Sequence, residues 1–536
     1  MQGFLRFHRL ILFFFLTSVF FISCVKDDFD FDKIKSPTWQ PGVAVPLVGS
    51  SLTLENVISK TGNTQFGSFD GNNFCTLIYS KDLYSVGAED FFQLPKLQNN
   101  KSIVIDPIIS SQINNIGTIT FNAEEYISIP ANINATIDSI EFKGGQLEFT
   151  ASSDFKHHIV MDVTIPGATK NGVAFNKIIN LTYNGQVPVS KTISVSLAGY
   201  NFNLHKGSQI GKIQIKYKIT ATATGNPVSG SEVISMALEM DNMKFSRAFG
   251  YFGVNSIGSG LDTIPVELLK DGQSIGGFSV DDPKFILKLS NSFGIPTRVD
   301  VPSIKSLGGT GNSINLATSL PIPLSLPSPG MNQIGETLYT QYVLDKTNSN
   351  IVPFVENNPT HILYNVMIGT NPNGPTANFI TDQSKISASL TMELPLNGSI
   401  KDFSMIDTVD FELKDEEMIE SLLLRMSFKN GFPIEFGSKI YFIDANNSVV
   451  DSLLCDQPQL ISSANVNSAG VVVSSVQKTT DVLVDRSFVN RIAKAKRIVY
   501  ILNSSTANQG NSHVKIYGHY KMDVNIGAIA KLKVTP

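Results

Sequence analysis

Gln146-Leu147-Glu148-Phe149-Thr150-Ala151 alternates polar and apolar side chains with a period of two, the pattern of a strand with one face in a core. Lys284-Phe285-Ile286-Leu287-Lys288-Leu289 and Lys439-Ile440-Tyr441-Phe442-Ile443 repeat it with β-branched and aromatic residues, which suit a pleated, half-buried surface. Asn171-Gly172, Asn184-Gly185, Asp271-Gly272 and Asn430-Gly431 punctuate such runs, as turns between short strands do. Helical periodicity is confined to two places. From Asp485 to Lys496, Asp485 can cap while Phe488, Ile492 and Ala495 share a face, and a shorter stretch runs from Asn348 to Glu356. The expectation is an all-β chain with one or two short helices.

The strands contain a repeat. Leu147, Phe149 and Ala151 lead into Ser152-Ser153-Asp154-Phe155; Phe285, Leu287 and Leu289 lead into Ser290-Asn291-Ser292-Phe293; Leu424, Met426 and Phe428 lead into Lys429-Asn430-Gly431-Phe432. From Phe155 to Phe293 is 138 residues and from Phe293 to Phe432 is 139, the near-constant spacing of tandem modules. Each copy reads as a strand, a polar turn and a Phe that plugs the end of a sandwich. Asp-hydroxyl motifs precede them at Asp138-Ser139, Asp262-Thr263 and Asp407-Thr408.

At the other end of the chain, Arg6 and Arg9 precede an apolar run from Leu10 to Ile22, then Ser23 and Cys24. Basic head, short apolar core and small residue describe a secretory signal. The run is about 13 residues, where a membrane span needs roughly 20. Cys24 after the small residue resembles a bacterial lipobox, with Phe21 in place of the usual Leu, which implies lipid attachment at Cys24. Lys26-Asp27-Asp28 resembles the signal by which Bacteroidetes export lipoproteins to the outer face of the outer membrane.

Two wider resemblances follow from these residues. The strand, Asn turn and Phe of the last two copies look like the β-sandwich of late-embryogenesis-abundant proteins, over roughly 25 residues per module. The whole chain resembles surface-exposed outer-membrane lipoproteins of Bacteroidetes, through the anchor, Trp39-Gln40-Pro41, Pro46-Leu47 and an ending like Val514-Lys515-Ile516-Tyr517 through Val534. The expected organisation is a signal peptide (1–23), a lipid-anchored tether (24–38), an N-terminal β region (39–125) and β-sandwich modules at 126–255, 256–400 and 401–536. Leu320–Pro329, with four prolines, is expected as an extended edge or loop.

Composition narrows the function classes. Without residues 1–23, which hold two Arg and no acid, 40 basic residues face 46 acidic ones, a balance of −6. That gives no reason to expect nucleic acid as a partner. Beyond Cys24 there are only Cys75 and Cys455, read as two buried, inert thiols although a pair is also open. His157 and His158 are neighbours, so on a strand they face opposite ways. No His-X-X-X-His or Cys-X-X-Cys spacing occurs, so neither metal nor other cofactor is expected.

The acids Asp407, Asp410, Glu412, Asp415, Glu416, Glu417 and Glu420 could serve glycoside hydrolysis or weak calcium binding, but as one polar run they read first as a solvated face. No Gly-X-Ser-X-Gly elbow is present. Arg486, Arg491, Lys494, Lys496 and Arg497 on the predicted helix could meet anionic headgroups, with a solvated face as the simpler reading. Trp39 is the only tryptophan and 35 Phe read mostly as core, which weakens a sugar platform without removing it. Asp followed by Ser or Thr and an apolar residue also resembles the O-glycosylation motif of Bacteroidetes secreted proteins, at Ser139, Thr263, Thr408 and Ser452, against a plain Asx turn.

The expected function is therefore non-enzymatic: a surface lipoprotein that binds or scaffolds an outer-membrane protein complex or an extracellular ligand. The alternatives are a glycan-binding accessory of a nutrient-uptake system, an adhesin or pilus-like subunit, and a surface hydrolase.

Overall fold

A computed structural model describes residues 42–54, 67–205, 209, 211–266, 273–274, 276–308, 311–413, 419–455 and 459–532. The signal peptide, the tether, Cys24, Lys26, Asp27, Asp28, Trp39, Asp271-Gly272 and Asp415 to Glu417 lie outside the described residues. Within them the fold is all-β, built of antiparallel sheets that pack as sandwiches.

Twenty-four strands carry the architecture. Three come from the N-terminal segment: β1 (Gly42–Thr53), β2 (Cys75–Gly87) and β3 (Leu97–Val104). Seven follow in a first group: β4 (Thr118–Ser128), β5 (Thr136–Ser153), β6 (His158–Lys170), β7 (Val173–Leu181), β8 (Val189–Ser196), β9 (Lys212–Thr222) and β10 (Val233–Tyr251). The second group is β11 (Ser256–Pro265), β12 (Lys284–Asn291), β13 (Thr297–Gly308), β14 (Leu324–Leu326), β15 (Leu338–Leu344), β16 (Pro359–Thr370) and β17 (Lys385–Pro395). The third is β18 (Phe403–Asp410), β19 (Ile419–Asn430), β20 (Ile434–Ile443), β21 (Val449–Leu453), β22 (Val476–Asp485), β23 (Arg497–Thr506) and β24 (Lys521–Leu532).

Each group makes the same two sheets. The first pairs β4-β9-β6-β7 and β10-β5-β8; the second pairs β11-β16-β13-β14 and β17-β12-β15; the third pairs β18-β23-β20-β21 and β24-β19-β22. The N-terminal strands complete the second sheet of each sandwich in reverse order. β3 adds to β10 in the first, β2 adds to β17 in the second and β1 adds to β24 in the third. Residues 39–125, read from sequence as one N-terminal β region, thus supply an edge strand to all three sandwiches as well as β4. The pairing partners lie up to some 480 residues away along the chain, a distance no local pattern in the sequence encodes.

The cores follow the alternation. Leu147, Phe149 and Ala151 of β5 face Ile159, Met161 and Val163 of β6 from the opposite sheet, all buried. Burying each large apolar side chain stabilises by about 1.5–3 kcal/mol. One continuous core runs through the first and second sandwiches, while the third has its own clusters around Phe442, Val484 and Ile498 and around Met426, Phe428 and Ile526. The first and second are also joined by Arg247–Gly250 of β10 pairing with Asn378–Thr381. A short sheet of Gly277–Val280, Asn397–Lys401 and Val514–Lys515 joins the second to the third.

The repeated Phe residues sit where the chain crosses between sheets, after β5, β12 and β19. Phe155 N–H donates to Ser153 Oγ at 3.0 Å, Phe293 N–H to Asn291 Oδ1 at 2.8 Å and Phe432 N–H to Asn430 Oδ1 at 2.8 Å. Ser153, Asn291 and Asn430 are all at most 2% exposed. The two Asn amides also span the crossing: Asn430 Nδ2 donates to Ile434 O (2.7 Å) and Ser462 O (2.9 Å), and Asn291 Nδ2 to Pro327 O (3.2 Å). The side chain satisfies backbone groups that the crossing strips from both ladders. At Gly431 a Cβ would lie 2.7 Å from Lys521 O, so the turn of the third copy accepts no larger residue without a shift.

Helices are few. Arg486–Ile492 is capped by Asp485, whose carboxylate accepts Phe488 N–H at 2.8 Å, and Ile351–Glu356 follows Asn350; both answer the sequence expectation. Pro107–Ile116 was not anticipated, although Asp106 caps it, Pro107 opens it and Gly117 closes it in the left-handed region, a full set of helix signals. Leu324–Leu326, inside the proline-rich segment, adds an edge to Thr297–Val299.

Asn430→Ala would orphan Phe432 N–H and the Ile434 and Ser462 carbonyls. It is expected to lower the stability of the third sandwich by about 2 kcal/mol or more, read by hydrogen exchange of the β19 and β20 amides under urea. Unchanged protection would show that the Asn clamp is not what holds the crossing.

Candidate functional site

The Asp-hydroxyl motifs fall on strands. Asp262-Thr263 lies on β11 and Asp407-Thr408 on β18, the same position in the second and third sandwiches, while Asp138-Ser139 lies on β5 and Asp451-Ser452 on β21. This difference of strand explains the unequal spacing from Asp138, Asp262 and Asp407 to the three Phe. Thr263, Thr408 and Ser452 each donate a backbone N–H to the preceding carboxylate, at 2.7, 2.7 and 2.8 Å. Thr263 and Thr408 are exposed; Ser139 and Ser452 are half-buried. Asp138 meets His205 Nε2 at 2.7 Å, and Asp451 pairs with Arg491 Nε at 2.5 Å.

Two of these aspartates belong to a second repeat. Tyr364 on β16 donates its hydroxyl to Asp262 at 2.9 Å, and Tyr500 on β23 donates to Asp407 at 2.9 Å. In the first sandwich Tyr217 on β9 donates to Glu125 of β4 at 2.5 Å. The three tyrosines are buried, 147 and 136 residues apart, and each ties the third strand of its sheet pair to the edge beside it. Burial, helped by Asp262, pushes the Tyr364 phenol up to about 12. Burial and then Glu125 raise Tyr217 further. The Thr263 N–H and the Tyr364 hydroxyl hold Asp262 below the usual carboxylate range. A charged acceptor makes each a stronger bond than a neutral pair. Apolar-X-Tyr or apolar-Tyr-X-apolar at module-length intervals was the signal that would have found them.

The acidic run does not converge. Asp407 serves Tyr500, Asp410 is exposed at the end of β18 and Glu420 is half-buried on β19. The basic helix is largely engaged. Arg486 donates to Ile419 O, Arg491 pairs with Asp451, and Arg497 bonds Asn447 Oδ1; Lys494 and Lys496 are exposed. Cys75 and Cys455 are not bonded to each other. Burial lifts the Cys75 thiol to about 11, while Cys455 is half-buried beside Tyr441. Among the described residues no group of three or more His, Cys, Asp or Glu side chains could hold a metal ion, and no helix is long and apolar enough to cross a membrane. An open trough of about 550 Å³ lies on the outer face of the third sandwich, between Ala44, Pro46, Gly49, Arg425, Asn525 and Ile529.

His157 is the one buried histidine, 2% exposed at the crossing after β5. Its Nδ1 accepts Thr224 N–H at 3.0 Å, which fixes the proton on Nε2 in the neutral ring. Nε2 is buried without a hydrogen-bond partner, and the ring stands edge-on to Phe155 at 4.6 Å. Burial lowers its pKa, with His158 acting the same way and Glu232 opposing. A His whose folded pKa is depressed lends its full stability above the unfolded value, near 6.5, and loses it as pH falls below that. His157→Asn, which keeps an acceptor for Thr224, should flatten the fall in melting temperature between pH 7 and pH 5. An identical slope in both proteins would remove His157 from the acid response.

No family model and no curated protein matches the chain. Among solved structures it is similar to a protein of Parabacteroides distasonis described as secreted. The identity is 14%, over 52% of this chain and 88% of that one, at a TM-score of 0.23. It is also similar to the VP2 subviral particle of infectious bursal disease virus, at 8% identity over 82% of this chain and 81% of that one, with a TM-score of 0.14. Likenesses this distant carry no argument about what the chain does.

Proposed function

We propose that the chain is a non-enzymatic lipoprotein of the bacterial outer membrane, held by lipid on Cys24, facing outward, and working as a binding or scaffolding protein. The observation that supports this most is the place of β1. It begins 18 residues after Cys24 and completes the third sandwich against β24. Eighteen residues reach at most about 60 Å, so a lipid on Cys24 keeps the third sandwich next to the membrane. The second is joined to the third and the first to the second, so the first sandwich is carried outermost. The repeated polar side chains are spent within the fold, as clamps and latches, and the outward surfaces are left for a partner. An outer-membrane protein complex or an extracellular ligand is that partner. Thr263 and Thr408, exposed and equivalent, are the hydroxyls proposed for O-glycosylation; Ser139 and Ser452 are less open to a transferase.

Cys24→Ala should abolish labelling by a palmitate analogue and release the protein from the membrane. Asp27→Ala with Asp28→Ala should keep the lipid but shield the chain from proteinase added to intact cells. Intact mass of the exported protein should show diacylglycerol on Cys24 and sugar on Thr263 and Thr408. Membrane retention of Cys24→Ala, or protease protection of the natural protein on cells, would contradict the anchored, outward placement.

A further inference from the structure

The outer face of the β2-β17-β12-β15 sheet in the second sandwich is a flat array of hydroxyls with one bare aromatic ring at its border. Register and alternation put its outward side chains in rows across the four strands. One row is Ser85, Ser387, Ser290 and Tyr339; the next is Asp82, Ser389, Lys288 and Gln341. A third row begins with Ser80 and Thr391. The hydroxyls pair with one another: Ser290 and Ser387 at 2.6 Å, Ser80 and Thr391 at 3.1 Å. Paired hydroxyls keep free lone pairs and donors for a ligand above the sheet. Four strands span about 14 Å, wide enough for several sugar rings.

Tyr339 is 77% exposed, the largest value among the exposed large hydrophobic side chains described. It stands on β15, the border strand, on the same face as Ser290. A phenol ring held out from a hydroxyl-lined sheet offers an apolar flat surface beside hydrogen-bonding groups, the combination that suits amphipathic ligands. Charge selects further. Asp82 balances Lys288, and in the row beyond Thr391 Glu393 lies directly opposite Lys284, so the face is neutral and matches an uncharged ligand. A protein partner is disfavoured, because interface centres are apolar and the centre here is serine. The corresponding face of the third sandwich differs, with Leu423, Leu483 and Ile529 in one row. That of the first carries Glu148 and Glu239.

We infer that this face binds a neutral polysaccharide, with Tyr339 stacking on a sugar ring and Ser290, Ser387, Ser389 and Gln341 meeting its hydroxyls. The inference rests on the binding role proposed above and names its ligand class.

The test is affinity electrophoresis of the purified full chain in gels holding amylopectin, mannan, xyloglucan or the acidic polymer polygalacturonate, followed by a glycan array. Retardation by at least one neutral polymer and none by polygalacturonate is expected. Tyr339→Ala should weaken that binding about tenfold, and Tyr339→Phe should retain it, since the ring and not the hydroxyl stacks. Tyr339 is on the surface, so an unchanged melting temperature certifies that both variants fold. No retardation by any neutral polymer, or equal retardation of Tyr339→Ala, would overturn the inference. So would retention of a protein but no glycan by the same face. These outcomes are read in solution and leave the membrane placement, read on cells, standing or falling separately.

Discussion

Edge pairing by the N-terminal segment is the constraint on which the rest depends. Without β1, β2 and β3 each sandwich would end at β24, β17 or β10 with a row of bare amide and carbonyl groups, the template for association between chains. The pairings are long: eleven register positions join β1 to β24 and eleven join β2 to β17. Because the segment runs from the third sandwich back to the first before the modules begin, the three sandwiches cannot be completed one by one in the order of synthesis. The third waits for both ends of the chain. Loop closure over several hundred residues adds only slowly to the entropic cost, but it delays folding, since non-local pairs reward the chain only after the loop has closed.

Inside that frame, two polar devices recur in each sandwich. The first is the Ser or Asn at the crossing between sheets, which receives the Phe N–H two residues on; the second is the tyrosine hydroxyl donated to a carboxylate on the neighbouring strand. Both put a polar group where an apolar one would pack more simply. Each fixes one arrangement, because a slipped register would leave the buried group without its partner. Glu125 replacing Asp262 and Asp407, with a residue offset along the strand, shows that the geometry of the bond is retained while its residues vary.

Strands, turns and the tandem period were legible because alternation and Asn-Gly turns are local. Phe155, Phe293 and Phe432 marked the modules correctly, since the same crossing demands the same short motif. The reverse threading was not legible: nothing in Gly42–Thr53 distinguishes pairing with residue 523 from pairing with a neighbour. The tyrosine latch was missed because Tyr217, Tyr364 and Tyr500 lie within ordinary alternating strands, and only their distant carboxylates give them meaning. Of the candidate hydroxyls, sequence offered four alike; burial separates Thr263 and Thr408 from Ser139 and Ser452. The Tyr339 face was beyond reach for the same reason, since its rows draw one residue from each of four strands far apart in the chain.

The reverse threading can be tested directly by introducing cysteine pairs at register partners in a chain whose Cys75 and Cys455 are replaced by Ser. Ser51→Cys with Asp523→Cys, Ser85→Cys with Ser387→Cys, and Ser102→Cys with Ser235→Cys bring side chains within about 5.5 Å of each other, close enough for a short thiol crosslinker. Peptide mapping should recover all three links, each within one chain. A link from position 51 to 235 instead of 523, or links between separate chains alone, would contradict the nested architecture and the membrane-proximal place of the third sandwich.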